Sequence, residues 1–556
     1  MCGINGIVNN LDKESKIKIM QKMSEASASR GPDGSDTFID EHCCLNHRLL
    51  AITDSPNVSS QPWGENRKLV YNGEIYNTND LKNSLSRNCW NWKTDSDTEV
   101  LYHGLCEHGI DFVKQINGMY AFAWYDYPNV FLVRDYGGIK PLYYSKQLGG
   151  LTFSSSIKSL IQAGVSTELN LDTVEYYFNL GYCPGRQTLF KNIQKVGANE
   201  VLIYNIEQKS FSSQFFKEDI VEQRNFDADE FRKALSKTVE STLVGRRSIG
   251  LFLSGGVDSS SILHEACKYK DNLDTFTTKF EVSSKDHKCN EDARCAKMLA
   301  QQYKTNHHEL LITCDDFIDS IPNCVDALEE VRYNRSSPAY YLMNKYISEQ
   351  GIIVTLSGDG GDEIFTGYPR HLDISTGNFD EWFQLTRFAQ TFGNNNTVKK
   401  SLKKCLSYIK NPVEKDEVNK FLFWECQNHL PEDFLIRNDK LGMHFGMEAR
   451  FPFTNREFRN YVLGIPSKYK TNKKIMFESY NKILPDFIIN KQKTGWAIPV
   501  DWYKQIKQSG YYNHILNKTK RLDEIIENQN QNKNKNKKFW SELYFRCWAY
   551  NFKVSI

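Results

Sequence analysis

SIGLFLSGGVDSS, residues 248–260, decides the fold of the larger part of this 556-residue chain. Ser248 to Leu253 is almost wholly apolar, as in a strand buried inside a parallel sheet flanked by helices. Ser254 to Ser260 follows with two glycines, three serines and an aspartate, and then the pattern turns helical. The glycines let backbone N–H groups approach an anion, the serines add hydroxyl donors, and a helix N-terminus adds favourable partial charge. Asp258 can hold Mg²⁺ on bound phosphates. No Gly-Lys-Ser/Thr follows, so this is not a Walker loop. A second apolar strand, IIVTL (352–356), ends in SGDGGDE (357–363). Two phosphate-type loops at the carboxyl ends of two such strands predict one crevice above a parallel sheet, with Asp362 joining Asp258 on the metal. Lys493 lies in NKQKTGWAIP (490–499), a segment rich in turn residues.

Working outward, helices dominate from Asp227 onward, whereas the first two hundred residues read as strands and turns. LVYNGEIYN (69–77), MYAFAWYDY (119–127), NVFLVRD (129–135), LYYS (142–145) and LTFSSS (151–156) are short apolar or aromatic runs punctuated by Gly, Asn and Asp. Helices are expected over Lys16 to Ala28 and Asp97 to Glu107. A polar stretch from Asn205 to Gln223 reads as the link. The expected organisation is a sheet-rich α+β domain, residues 1–210, and a helix-rich α/β domain, residues 225–556. Asn528 to Lys538, NQNQNKNKNKK, has no apolar surface to bury and is expected to be a disordered loop.

Composition excludes several classes. Hydrophobic residues make up 40% and charged residues 25%, with a formal net charge of +2. That balance calls for neither nucleic acid nor an anionic membrane surface. No apolar run could span a bilayer, and MCGINGIVNNLDK lacks a basic leader region. A cytoplasmic protein is expected, its fourteen cysteines reduced. Cys43-Cys44 and Cys289/Cys295 lack zinc-ligand spacing, and His307-His308 reads as ordinary strand histidine.

Cys2 is the candidate nucleophile of the first domain. With Met1 removed, its free α-amine, with a pKa of about 8, could serve as base for its own thiol. Asn72-Gly73 pairs a side-chain amide with a glycine N–H, two donors able to converge on an oxyanion. Arg30 to Gly34, RGPDG, is a rigid turn, and Asp97 opens a helix where it can accept a substrate ammonium.

MCGINGI, RGPDG, YNGEIYN, SDTEV, GMYAFAWYD and GIKPLYY, in that order, resemble the N-terminal-nucleophile glutaminase domain of asparagine synthetases. SGGVDSS, LSGDGGDEIFTGY, GMEARFPF and KQKTGWAIP resemble the ATP-pyrophosphatase domain of the same family. The resemblance implies an αββα sandwich followed by a parallel-sheet synthetase domain. It implies thiolate attack by Cys2 on glutamine, with Asn72 and Gly73 stabilising the oxyanion and Glu74 and Asp97 holding the amino-acid end. The family's carboxylate-binding arginine stands two residues after a histidine. His47-Arg48 has it one place early, and Arg48 is expected to take the role. Adenine contacts fall to backbone near Leu253 and Thr278. Phosphate contacts fall to Ser254, Gly255, Gly256, Asp258, Ser259, Ser260, Ser357 and Gly358. Lys493 stabilises charge during adenylation, with ATP and Mg²⁺ as cofactors, and ammonia passes through an internal tunnel. A homodimer is also implied.

Aspartate is the acceptor the family implies. In VRYNRSS (331–337), Arg335 and Ser337 match, but Arg332 and Tyr333 replace paired threonines; Asp359 stands for the loop glutamate, and Thr454-Asn455 for Leu-Asp. Arg335 and Asp359 are the expected acceptor residues, and Asp359 is also expected among the catalytic ones. A different acid, such as a sugar uronate or peptide carboxylate, and a non-catalytic binding paralogue are the alternatives. The usual glutamate of the segment before Ile157 is Ser156, which is expected to alter a domain contact.

Overall fold

A computed structural model describes residues 2–556, apart from 57, 86–89, 224, 283–286, 333, 369–370, 372–408, 411–415, 494–497 and 530–534. Tyr333, Thr494 to Ala497 and the centre of the Asn/Lys-rich run therefore lie outside the described residues. The first part contains β1 (Gly3–Val8), β2 (Gly34–Ile39), β3 (Cys43–Leu49), β4 (Lys68–Ile75), β5 (Gly118–Asp126), β6 (Asn129–Arg134), β7 (Tyr143–Ser145), β8 (Leu151–Ser154), β9 (Gln194–Lys195), β10 (Glu200–Asn205) and β11 (Ser210–Phe215). They form two sheets, β2-β3-β1-β8-β7-β9 and β11-β10-β6-β5-β4. The pairings are antiparallel.

Period-two alternation builds the sandwich. Along β5, Ala121, Ala123 and Tyr125 face the apolar layer between the sheets, with Ile4, Leu45 and Phe153. Tyr120, Phe122 and Trp124 face outward beneath the helix Asp97–His108, against Val100, Leu101 and Leu105. The helix Lys13–Ala26 covers the other sheet through Met20 and Met23. Its start is capped by Asp12, whose carboxylate accepts from Ser15 N. The layers are thus helix, sheet, sheet, helix.

The stretch expected to link the two parts instead carries β11. Ser210 to Phe215 is polar because it is the edge strand of its sheet, half open to solvent. Glu218–Asp219 (β12) later pairs with Ile409–Lys410 (β17).

The second part is built on β13 (Ile249–Phe252), β14 (Asp274–Phe280), β15 (Asn306–Ile312), β16 (Val354–Leu356) and β18 (Glu448–Arg450). Their order is β15-β14-β13-β16-β18, all parallel. Leu251, Val354 and Leu356 are fully buried among helices. The Asn/Lys-rich run differs from expectation at both ends. Asn528 and Gln529 close the helix Asp523–Gln529, and Lys535 to Lys538 open the helix Lys535–Asn551. Lysine is a good helix former, and the buried Phe539, Trp540 and Leu543 that follow anchor the turn it extends. Among the described residues, no helix is long and apolar enough to cross a membrane.

Candidate active sites

Cys2 immediately precedes β1 and is 7% exposed. Its backbone N–H donates to Asn72 Oδ1 at 2.8 Å, and Arg30 Nε donates to its carbonyl at 3.2 Å. That bond leaves Asn72 Nδ2 buried with no hydrogen-bond partner. A desolvated, unsatisfied donor beside a nucleophile costs stability and is positioned for a charge that appears only during reaction. Neighbouring Gly73 admits no side chain, since a Cβ there would stand 2.3 Å from the Met119 carbonyl oxygen. Burial pushes the Cys2 thiol above its ordinary value, partly offset by nearby charge and the Leu50 N–H. The thiol is therefore protonated at neutral pH and would need a base to act as a nucleophile. If the α-amine freed by removal of Met1 is that base, glutamate release is expected to rise with pH between about 6 and 8 as the amine deprotonates; a flat pH–rate profile would count against this.

Asp97 Oδ2 accepts from Tyr71 OH at 2.7 Å and Ile75 N at 3.0 Å. Glu74 Oε2 pairs with Arg450 Nη2 at 3.1 Å. Burial raises both carboxyls, opposed at Glu74 by Arg450 and at Asp97 by its two donors. These acids are close to Cys2 in the fold but are held by protein groups.

Arg48 is not brought to Cys2. It pairs with Gly3 across β1 and β3, and its Nε donates to Ser24 O and Oγ at 3.1 and 2.9 Å. Leu49 clusters with Cys2 and Ala51 instead. Successive side chains of a strand take opposite faces, and the face Arg48 takes is the one toward Ser24.

In the second part, β13 and β16 are neighbours, so the loops at their carboxyl ends meet. A Cβ on Gly358 would come 3.3 Å from Ser259 N, and one on Gly361 would come 2.9 Å from Asp258 Cγ. Together they floor a cavity of about 510 Å³. Leu253, Ser254, Gly256, Asp258, Ser259 and Thr278 line it from the first side. Ser357, Gly358, Asp359, Asp362 and Lys493 line it from the second. Ser260 is buried beneath, and Gly255 packs against the helix Glu291–Tyr303. Gly255 has φ +64°, and a Cβ there would fall 2.7 Å from Cys295 Cβ. Gly255→Ala is expected to cost about 1–2 kcal/mol and to weaken nucleotide binding about tenfold, measured by thermal unfolding and calorimetric titration.

Three cations organise the acidic side of this cavity. Lys473 Nζ bridges Asp258 and Asp362, standing 2.6 Å from Asp362 Oδ1. Lys493 Nζ reaches the same Asp362 oxygen at 2.6 Å and the Gly367 carbonyl at 3.0 Å. Lys491 Nζ pairs with Asp292 and donates to the Gly255 carbonyl at 3.3 Å, tying the loop down. Burial raises Asp258 despite Lys473, while Asp362, also buried, is held below its ordinary value by Lys473 and Lys493. Asp258 Oδ1 is buried without a hydrogen-bond partner, a donor set that fits a divalent cation. Lys473 and Lys491 carry no motif signal in isolation and were absent from the sequence-based site.

The acceptor expectation for Arg335 is corrected. Arg335 is exposed in the turn before the helix Ser337–Glu349 and does not line the cavity. A surface turn beside a helix cap keeps a long cation in water. Arg332 is buried but pairs with Glu330 at 2.9 Å. Thr454 and Asn455 belong to the joint between the two parts: Thr454 O accepts from Tyr136 OH at 2.6 Å, and Asn455 Oδ1 from Asn117 Nδ2 at 3.3 Å. Ser156 is also a joint residue. Its Oγ donates to Glu329 Oε1 at 2.6 Å, and Lys440 completes the group on Oε2 at 2.5 Å. Ser156 thus meets a carboxylate from the second part.

Residues 230–549 match the asparagine synthase family model, which is more than half of the chain. The chain belongs to the asparagine synthase family. Residues 1–216 match the glutamine amidotransferase domain model. An asparagine synthetase [glutamine-hydrolyzing] of Bacillus subtilis is 27% identical, covering 95% of this chain and 94% of the relative. A second from that organism is 25% identical over 99% and 96%. A putative asparagine synthetase [glutamine-hydrolyzing] of Methanocaldococcus jannaschii is 31% identical over 72% and 82%. This membership gives both sites a shared frame: the family's amidotransferase half carries Cys2, and its synthase half carries the cavity.

Proposed function

We propose that the protein is a glutamine-hydrolysing asparagine synthetase, joining ammonia released at Cys2 to a carboxylate activated by ATP. The observation that carries the reading is Asn72. Its oxygen fixes the nucleophile's backbone while its buried Nδ2 is left without a partner, as a site for a transient oxyanion requires.

The Cys2 thiolate attacks the glutamine carboxamide carbon, and Asn72 Nδ2 and the Gly73 N–H receive the oxyanion. The carbon–nitrogen bond breaks, ammonia leaves with the transferred proton, and water cleaves the thioester to glutamate. In the cavity, ATP lies with its phosphates against the Ser254–Ser260 and Ser357–Gly358 loops and the N-terminus of the helix Val257–Ala266. Mg²⁺ would be held by Asp258 and Asp362 together with phosphate oxygens, and it would neutralise phosphate charge. An aspartate side-chain carboxylate attacks the α-phosphorus, the bond to pyrophosphate breaks, and Lys493 stabilises the charge on the phosphates. Ammonia then attacks the adenylated carbonyl and AMP departs. The chain's departures at Arg332, Thr454 and Asn455 face ion pairs and the domain joint, so they give no support to another acceptor.

The test is a pyrophosphate-release screen with ATP, Mg²⁺ and ammonia, supplying aspartate first and then uronic acids and other carboxylates. Release with aspartate, and asparagine as product, supports the reading. Release with another acid alone replaces aspartate as the acceptor.

A further inference from the structure

Arg437 stands apart from every other buried arginine among the described residues. Arg30, Arg134, Arg332, Arg450, Arg459 and Arg546 each have a carboxylate within ion-pair distance. Arg437 is 4% exposed, and among the described residues no carboxylate pairs with it. Its one recorded polar contact is a long bond from Nε to Asn438 Oδ1, at 3.5 Å. Its guanidinium carbon instead lies over the rings of Tyr340 and Phe434, 5.3 and 5.2 Å from their centroids. A buried, unpaired guanidinium is costly. Packing over two rings recovers part of that cost and fixes the plane of the fork.

The location supplies the second observation. Arg437 and Tyr340 both line the 510 Å³ cavity, as does Asp359. The next residue, Asn438, donates to Asp359 Oδ2 at 2.5 Å, and Ser357 Oγ donates to the same oxygen at 2.5 Å. A fixed cation and a fixed carboxylate therefore share one wall, linked through adjacent residues of one helix, Ile436–His444. That helix begins directly after a π-helical turn, Leu430–Leu435. Such turns re-aim the residues that follow them and recur at functional sites.

We propose that Arg437 binds a second, non-reacting carboxylate on the acceptor, while Asp359 receives the acceptor's ammonium. Resting on the aspartate reading above, this assigns the α-carboxylate of aspartate to Arg437 and leaves the side-chain carboxylate free to attack ATP. A planar fork matches a carboxylate in a bidentate manner, and a buried charge without a protein partner gains most from a ligand that supplies one. The acceptor class is thus a dicarboxylic amino acid.

The test measures pyrophosphate release with ammonia as nitrogen source, comparing wild type with Arg437→Gln and Arg437→Lys, on aspartate and on β-alanine, which lacks the α-carboxylate. Arg437→Gln is expected to raise KM for aspartate about 100-fold, with KM for ATP and glutamine hydrolysis unchanged. Wild type is expected to prefer aspartate to β-alanine by a similar factor, and Arg437→Gln to erase that preference. Arg437→Lys restores part of it. A merely structural role would lower kcat or thermal stability and leave the preference intact, which would overturn the proposal, as would an unchanged KM for aspartate. If wild type were silent with aspartate but active with another dicarboxylate, the acceptor reading would fall and the same comparison would run on that acid. Activity with monocarboxylates alone would overturn the Arg437 assignment.

Discussion

Cys2→Ala is expected to abolish glutamine-dependent synthesis while ammonia-dependent synthesis continues at the wild-type rate. Removing a covalent nucleophile from a site that otherwise retains its donors costs on the order of 10⁴-fold or more. Asn72 and Gly73 would remain, but they stabilise an oxyanion that no longer forms. The fold should survive: Cys2 lies at the end of β1 in a small cluster with Leu49 and Ala51, and deleting one buried sulfur costs about 1 kcal/mol. Glutamate release and ammonia-driven pyrophosphate release, measured on the same preparation, separate the two sites. Loss of ammonia-driven turnover with an unchanged unfolding temperature would defeat the two-site account.

Lys493→Ala should give the complementary pattern. Pyrophosphate release is expected to fall about 10²–10³-fold with either nitrogen source, while glutamate release from glutamine persists. Lys493 is half exposed and rests 4.6 Å above the Tyr368 ring, so its loss should not unfold the protein. The role proposed for it is charge at the phosphates, and Asp362 holds its ammonium in place. Lys493→Arg retains the charge but not the compact ammonium, and partial recovery is expected. Undiminished pyrophosphate release by Lys493→Ala would remove this residue from the chemistry and leave Lys473, more deeply buried between the same aspartates, as the cation to test.

What could be read in the sequence was local. The Ser254–Ser260 and Ser357–Glu363 loops each carry strand, turn and helix signals within a dozen residues, and the crevice follows from two such units side by side. That Cys2, Asn72 and Gly73 are candidates was legible because position two, an Asn-Gly pair and flanking strands are short-range patterns, and the fold brings Cys2 and Asn72 together. The direction of Arg48 was not legible because a strand's faces alternate: which face a residue takes is invisible in composition, and here the side chain turns toward Ser24. Arg335 was misread because alignment to a motif says nothing about exposure. Lys473, Lys491 and Arg437 were not legible at all. Lys473 and Lys491 are separated from the Asp258 loop by more than two hundred residues, and Arg437 draws its meaning from Tyr340 and Asp359, which only the packed fold supplies. Ser156 shows the same limit, since its partner Glu329 lies 173 residues away in the chain.

Arg450 carries a consequence for how the two halves work together. Its side chain holds Glu74 beside the glutaminase site and Glu448 within its own strand, and its backbone carbonyl accepts from Ser357 N at 3.0 Å, the first residue of the second phosphate loop. One residue therefore touches the surroundings of both substrates. Whatever coupling between the two binding equilibria runs through this residue is reciprocal. If nucleotide and acceptor tighten glutamine binding through Arg450, glutamine tightens theirs by an identical factor.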